Sequence, residues 1–297
     1  MTKTIITHGG AFHTDEIFAV AALTLHLKNE EVTVLRTRDE ALFPKADYIV
    51  DVGGVLNPEE GRFDHHQQGG AGSHINGIPY ASFGLVWREY GIELCGGNEN
   101  VAKNLETKLV SSVDAFDNGV SISTNLHKDI YPYSIGQFFG SFLPSFNGNK
   151  EDYDIAFNTC VNIAKDLLKR EISKALERVT LERIVEDIYQ KTEDKRVIIL
   201  DKKYPWESAL MKFPEPLYVV YSNTENNNWN AKAVPADGDT LFNVRKKFPA
   251  SWAGKRGEAL VAETGLADAI FCHNARFIAV AESKEGILEL VRQALDQ

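Results

Sequence analysis

The chain has 297 residues, 43% of them hydrophobic, with 32 basic against 42 acidic side chains and a net charge of −10. That size and apolar content suit about two domains with sizeable cores, while the acidic balance counts against sequence-independent binding to long duplexes, which rests on neutralising many phosphates. No uncharged run is long enough to span a bilayer, no basic segment leads an apolar one at the N-terminus, and three scattered cysteines (Cys95, Cys160, Cys272) make no disulfide framework, so a cytoplasmic protein without membrane anchor is expected.

In chain order, an apolar strand over residues 4–7 runs into Thr7-His8-Gly9-Gly10-Ala11-Phe12-His13-Thr14-Asp15-Glu16 and then an apolar run predicting an amphipathic helix over 15–27. His8, His13 and Asp15 therefore fall at the carboxyl end of a strand, the edge where open α/β sheets bind ligands. Thr14 and Asp15 are equally apt to cap the helix. Strands over 32–36 and 48–51 follow, the second ending on Asp51 before Gly53-Gly54. Arg62-Phe63-Asp64-His65-His66-Gln67 then sets an acid beside two adjacent imidazoles, an arrangement in which Asp64 can orient one ring. The Gly-rich stretch after it, with His74, reads either as a loop folding over a substrate or as an exposed turn. Helices are expected over 82–90 and 100–114, with Asp114 near the end of the second and Asp117-Asn118-Gly119 as an ordinary turn. In residues 126–149, Phe138, Phe139, Phe142 and Phe146 are expected to fill a core.

Residues 151–191 hold neither Gly nor Pro, and Val161, Ala164, Leu168, Ile172, Ala175 and Val179 recur at helical spacing. They predict a connecting helix of roughly 60 Å, broken near Thr180, whose apolar stripe packs within the chain or, as the alternative, forms a homodimer. Strands over 196–200, 217–221, 230–234 and 269–271 and a helix over 284–294 make a smaller α/β module. The expected fold is thus α/β: a parallel-sheet domain over 1–150, the helix over 151–191 and a second α/β domain over 192–297. Arg245-Lys246-Lys247, Lys255-Arg256 and Lys232 alternate with Trp252 and Trp229, as on surfaces that hold single strands; a solvated helix end is the plainer reading.

His8, His13, Asp15, Asp51, Asp64, His65, His66 and Asp114 meet the demands of two divalent ions about 3.5–4 Å apart, which clamp the attacking and leaving oxygens of a phosphoester. Imidazole with carboxylate favours Mn, Fe, Zn or Co over Ca, and the absence of thiolate argues against a structural zinc; two Mn²⁺ ions are the expected cofactors, with Mg²⁺, Co²⁺ or Zn²⁺ as alternatives. Neither a Gly-x-Ser-x-Gly elbow nor a Gly-x4-Gly-Lys-Ser/Thr loop occurs.

This ordered series resembles the DHH phosphoesterase superfamily. Within it, Thr7 to Glu16, Arg62 to Gln67 and Ser111-Ser112-Val113-Asp114-Ala115-Phe116-Asp117-Asn118-Gly119 resemble the melanocyte proliferating gene one family. The resemblance implies a DHH-type catalytic domain with His8, His13 and Asp51 on one ion and Asp15, His65, Asp114 and the shared Asp51 on the other. It makes His66 a general acid or phosphate contact and Asp64 its orienter. The pyrophosphatases of the superfamily carry Asp where this chain has His13, so the first site here is richer in nitrogen. The C-terminal module is implied to close over the site, offering His273 and Arg276, with Arg245, Lys255 and Arg256, to substrate. The implied reaction is direct attack of water on a phosphodiester, by a 3′-to-5′ exonuclease or oligoribonuclease acting on RNA or short oligonucleotides. A nucleotide or cyclic dinucleotide phosphohydrolase, or a non-catalytic metal-binding regulator, are the alternatives.

Overall fold

The computed structural model describes residues 2–236 and 243–297. The chain divides into two units, Met1–Leu176 and Glu177–Gln297, each a mixed α/β assembly with a five-stranded sheet among the described residues.

In the first unit the elements run β1 (Thr2–Thr7), α1 (Thr14–His26), β2 (Glu31–Arg36), β3 (Tyr48–Val50), β4 (Leu56–Asn57), β5 (Arg62–Phe63), α2 (Ser82–Leu94), α3 (Glu99–Leu105), α4 (Ser111–Asp117) and α5 (Ile135–Gly140). The sheet order is β2-β1-β3-β5-β4, parallel throughout except for the antiparallel edge strand β4. The chain steps from β1 outward to β2, then returns to the other side of β1 as β3. That reversal is a switch point, where diverging connections leave a crevice at the carboxyl edge.

Ten consecutive residues of α1, Thr14 to Leu23, are buried, so α1 is enclosed on all sides rather than amphipathic as expected. Its Ala19, Ala21 and Ala22 let neighbours approach closely, and Phe18 stacks on Phe83 of α2 at 4.9 Å and meets Phe139 of α5 edge-on at 5.7 Å. Each such phenylalanine stabilises by about 1.5–3 kcal/mol. Phe139 thus joins the core, whereas Phe146 is fully exposed and Phe138 half-buried, against the expectation for both. The single helix expected over 100–114 is three pieces: α3, a π turn over Glu106–Val110, and α4.

Next comes α6 (Lys150–Lys191), a continuous helix of 42 residues. The break expected near Thr180 is absent, because a β-branched residue costs a helix under about 1 kcal/mol, too little to interrupt it. The second unit adds β6 (Val197–Leu200), α7 (Glu207–Leu210), β7 (Tyr218–Asn223), β8 (Asn228–Ala233), α8 (Glu258–Thr264), β9 (Ala269–Cys272), β10 (Ile278–Ala281) and α9 (Lys284–Asp296). Its sheet, β6-β7-β8-β10-β9, is parallel only between β6 and β7. Tyr218, Phe248, Trp252, Leu260, Ile287 and Leu290 form the core on one face. Trp252, 1% exposed, is therefore a core residue and not a platform for bases. Among the described residues no helix is long and apolar enough to cross a membrane.

Candidate metal centre

His8 follows the last residue of β1, so the sheet delivers it to the switch point. Its ring is 3% exposed, with Nε2 3.0 Å from Glu16 Oε1 and 3.3 Å from Asp51 Oδ2. Glu16, wholly buried in the first turn of α1, also accepts the Thr7 hydroxyl and the His13 backbone N–H, the latter at 3.1 Å. One carboxylate therefore ties the end of β1, the glycine loop and the start of α1. Sequence reasoning missed Glu16, although an acid three residues past the capping residue, here His13, is half the signal of a capping box.

Asp51 follows β3, and the chain turns sharply there with Asp51 at φ +56°, a left-handed conformation that only Gly, Asn and Asp adopt readily. The turn sets the carboxylate between two rings: Oδ2 faces His8, and Oδ1 lies 3.3 Å from His65 Nε2 and accepts the Ser82 hydroxyl at 3.0 Å. Asp64, at the end of β5, is also buried. Its Oδ1 takes the backbone N–H groups of His65 and His66 and sits 2.7 Å from His66 Nδ1, while Oδ2 takes the Gly54 N–H at 2.6 Å. His66 itself is largely exposed.

Asp15 has one oxygen on the Ser82 N–H at 3.2 Å; the other, Oδ1, is buried with no hydrogen-bond partner. Its companion is Asp117 at the end of α4, whose oxygens lie 3.3 Å from His65 Nε2 and 3.8 Å from His13 Nδ1. Three overlapping triads result, with ligand atoms within 4.8 Å of one another: His8, His13 and Asp51; Asp51, His65 and His66; His13, Asp15 and Asp117.

Asp114 belongs to none of these triads. Three positions before Asp117 on α4, it faces the start of α2, where it accepts the Gly84 N–H at 3.1 Å and pairs with His74 Nε2 at 2.8 Å. The other His74 nitrogen is 2.8 Å from Glu106, in the π turn. His74, 3% exposed, is therefore a buried brace that anchors the Gly-rich stretch, while Gln68, Gly69, Ile75 and Asn76 on either side of it form exposed turns. A Cβ on Gly84 would stand 1.9 Å from Asp114 Oδ2. Gly84→Ala is accordingly expected to destabilise the fold by about 1–3 kcal/mol, seen as a lower urea midpoint; an unchanged midpoint would remove this packing argument.

These residues fit a bound cation. Burial works against Asp51 ionising, yet the flanking His65 and His8 hold its carboxyl well below the usual range. Burial would likewise lower His8, but Asp51 and Glu16 prevail and carry it up to about 10. Burial, then the charges of Asp51, Asp117 and Glu16, push Asp15 well above its ordinary value. Protons thus hold together acids that otherwise repel: Asp15 Oδ1 is buried without a hydrogen-bond partner, and His65 Nε2 is flanked by the carboxylates of Asp51 and Asp117 at 3.3 Å. Metal ligation requires these groups deprotonated. Uptake of Mn²⁺ is therefore expected to release protons, and affinity to climb as pH rises toward about 10, the value above which His8 is mostly neutral. Calorimetry in buffers of unlike ionisation enthalpy measures this; uptake without proton release would contradict the assignment.

The signature of MYG1_exonuc, described as an uncharacterised protein family (UPF0160), matches residues 4–295. The chain belongs to this MYG1 exonuclease family. It is 31% identical to a MYG1 protein of Schizosaccharomyces pombe over 98% of this chain and 97% of that one. To a MYG1 protein of Caenorhabditis elegans it is 28% identical over 100% and 96%. The human protein named MYG1 exonuclease is 28% identical over 98% of this chain and 85% of its own.

The C-terminal residues of this MYG1-family chain are partly committed within their own unit. Arg245 donates to the carbonyls of Phe213, Pro216 and Met211, so its guanidinium holds loops together and is withdrawn from the expected substrate set. Lys255 pairs with Glu263, and Arg256 lies over the Phe271 ring at 4.5 Å. Arg276, at φ +62°, donates to the Phe248 carbonyl, while His273 Nδ1 accepts the Ala275 N–H and its ring packs on Phe277. The segment thus ends β9 at Cys272 and builds a tight turn over His273 to Arg276.

Proposed function

We propose that this chain is a metal-dependent phosphoesterase of the DHH type, acting as an exonuclease or oligoribonuclease on RNA or short oligonucleotides. The observation that carries the reading is Asp51, whose two oxygens face the imidazoles of His8 and His65 separately, as a carboxylate shared between two cations would. The relatives named exonucleases agree with it.

His8, His13 and Asp51 would hold one divalent ion, and Asp15, His65, Asp117 and the shared Asp51 the other, with Mn²⁺ among the transition ions that mixed imidazole and carboxylate donors accept. When bound, such ions bring the pKa of water toward neutrality and offset charge on the phosphoryl oxygens. The chain itself does the positioning. Ser82 fixes Asp51 through its hydroxyl and Asp15 through its N–H. Asp64, locked by three backbone N–H groups, keeps the His66 ring oriented through Nδ1, so that a protonated His66 gives its Nε2 proton to the leaving oxygen.

The test is stripped protein resupplied with Mn²⁺ and given end-labelled RNA and DNA oligonucleotides of graded length, mononucleotides and cyclic dinucleotides. Stepwise shortening of RNA is expected. Turnover of cyclic or mononucleotides alone would replace the exonuclease reading with a nucleotide phosphohydrolase, and no turnover of any substrate would leave a metal-binding regulator.

A further inference from the structure

A cavity of about 300 Å³ opens at the switch point, lined by His8, His13, Asp51, His66, Gly53 and Arg38, with further contributions from the same loops. Five of these belong to the candidate metal centre or its turn. Arg38 does not.

Arg38 lies two residues past β2, the strand beside β1, and the sheet order brings it to the same carboxyl edge. Its backbone is pinned: the Thr37 N–H donates to the Thr7 carbonyl at 2.7 Å, and the Asp39 N–H to the Thr37 hydroxyl at 3.1 Å. Its neighbour Arg36 is spent, buried between Phe12 and Phe157 with its guanidinium on Asp154 and the Gly10 carbonyl. Arg38 is exposed, and among the described residues no acid or carbonyl engages its guanidinium. The acids of the cavity do not consume it either, because Asp51 is answered by His8, His65 and Ser82, and Asp64 by His66 and Gly54. A free guanidinium over a set of cation ligands suits a ligand with two anionic groups, one at the cluster and one on the planar fork, which takes phosphate in a bidentate grip.

Resting on the phosphoesterase reading, we propose that Arg38 is the phosphate receptor of this cavity, gripping the phosphate next to the one hydrolysed. The cavity lies at the small end of ligand clefts, a size for a single nucleotide between the two phosphates. The substrate class is therefore a nucleotide chain with a phosphate adjoining the scissile linkage.

The experiment uses the Mn²⁺-loaded full chain and three RNA dinucleotides: one without a terminal phosphate, one 5′-phosphorylated and one 3′-phosphorylated. In the unsubstituted protein one phosphorylated form is expected to show a KM about 10–100-fold below the bare dinucleotide, the worth of a charge-assisted pair. Arg38→Ala should erase that difference with kcat and Mn²⁺ stoichiometry unchanged, and Arg38→Lys should restore part of it. A preference that survives Arg38→Ala, or an equal fall in kcat for all three, overturns the proposal. If the unsubstituted protein cleaves none of them, the phosphoesterase reading fails separately, and calorimetric binding of the same dinucleotides decides for Arg38. Binding of a phosphorylated form that disappears in Arg38→Ala supports the receptor; equal binding by both proteins, or none by either, overturns it.

Discussion

Asp51→Asn is expected to lower hydrolysis by about 10³-fold, the scale on which single preorganised electrostatic partners act, together with a loss of Mn²⁺ from the purified protein. The substitution isolates charge from conformation. Asn adopts the left-handed backbone at φ +56° about as readily as Asp, and its amide oxygen can still accept the Ser82 hydroxyl. Asp51→Ala would instead add about 1–2 kcal/mol of backbone strain and confuse the two effects. Metal analysis and turnover should fall together in the Asn variant. Retained turnover with two ions per chain would show that Asp51 is not the shared ligand.

The largest effect on stability is expected from His74→Ala. It would leave Asp114, fully buried, facing an empty space where an imidazole had been. Removing one partner of a buried pair typically costs about 3–5 kcal/mol, because the survivor keeps its desolvation penalty. Burial lowers His74, but Asp114 and Glu106 prevail and raise it. With the folded value above the unfolded one near 6.5, the His74 contribution is fully present below about pH 6.5 and lost as pH rises through the raised value. Denaturant unfolding of both single variants and of His74→Ala/Asp114→Ala forms a cycle: the double loss should fall well short of the sum. Strict additivity would mean that the two side chains do not act together.

The sheet strands β1, β2 and β3 were legible because each is an apolar run closed by a turn residue, and the same runs carry His8 and Asp51 to their ends. The two-residue β5 was not, since Arg62-Phe63 is too short for any period to register. Nor was β10, whose Ile278 to Ala281 pairs with β8 and β9 without a glycine or proline to mark its start. The cluster was legible where chemistry is dense, as in Asp64-His65-His66. It was misread where a residue has a plainer use, since Asp117 in Asp-Asn-Gly looks like a turn, and Glu16 was passed over beside Thr14 and Asp15, the evident caps. The basic C-terminal residues looked available because a linear sequence does not display the carbonyls that take Arg245 or the core that takes Trp252.

The π turn over Glu106–Val110 has a consequence for chain length. An α-helix advances about 100° per residue, and a π turn takes in one residue more than an α turn without ending the helix. Losing that extra residue would return the turn to α spacing and leave α4 facing as before, but losing one from Ser111 to Val113 would turn Asp114 and Asp117 by about that angle, away from His74 and His65 at once. A loop such as Gln67 to Gly72, with three left-handed glycines, can absorb a change of length by altering its path. Beyond the π turn α4 cannot, so the spacing from Ser111 to Asp117 behaves as a fixed gauge, with less tolerance for an inserted or lost residue than for most substitutions along it.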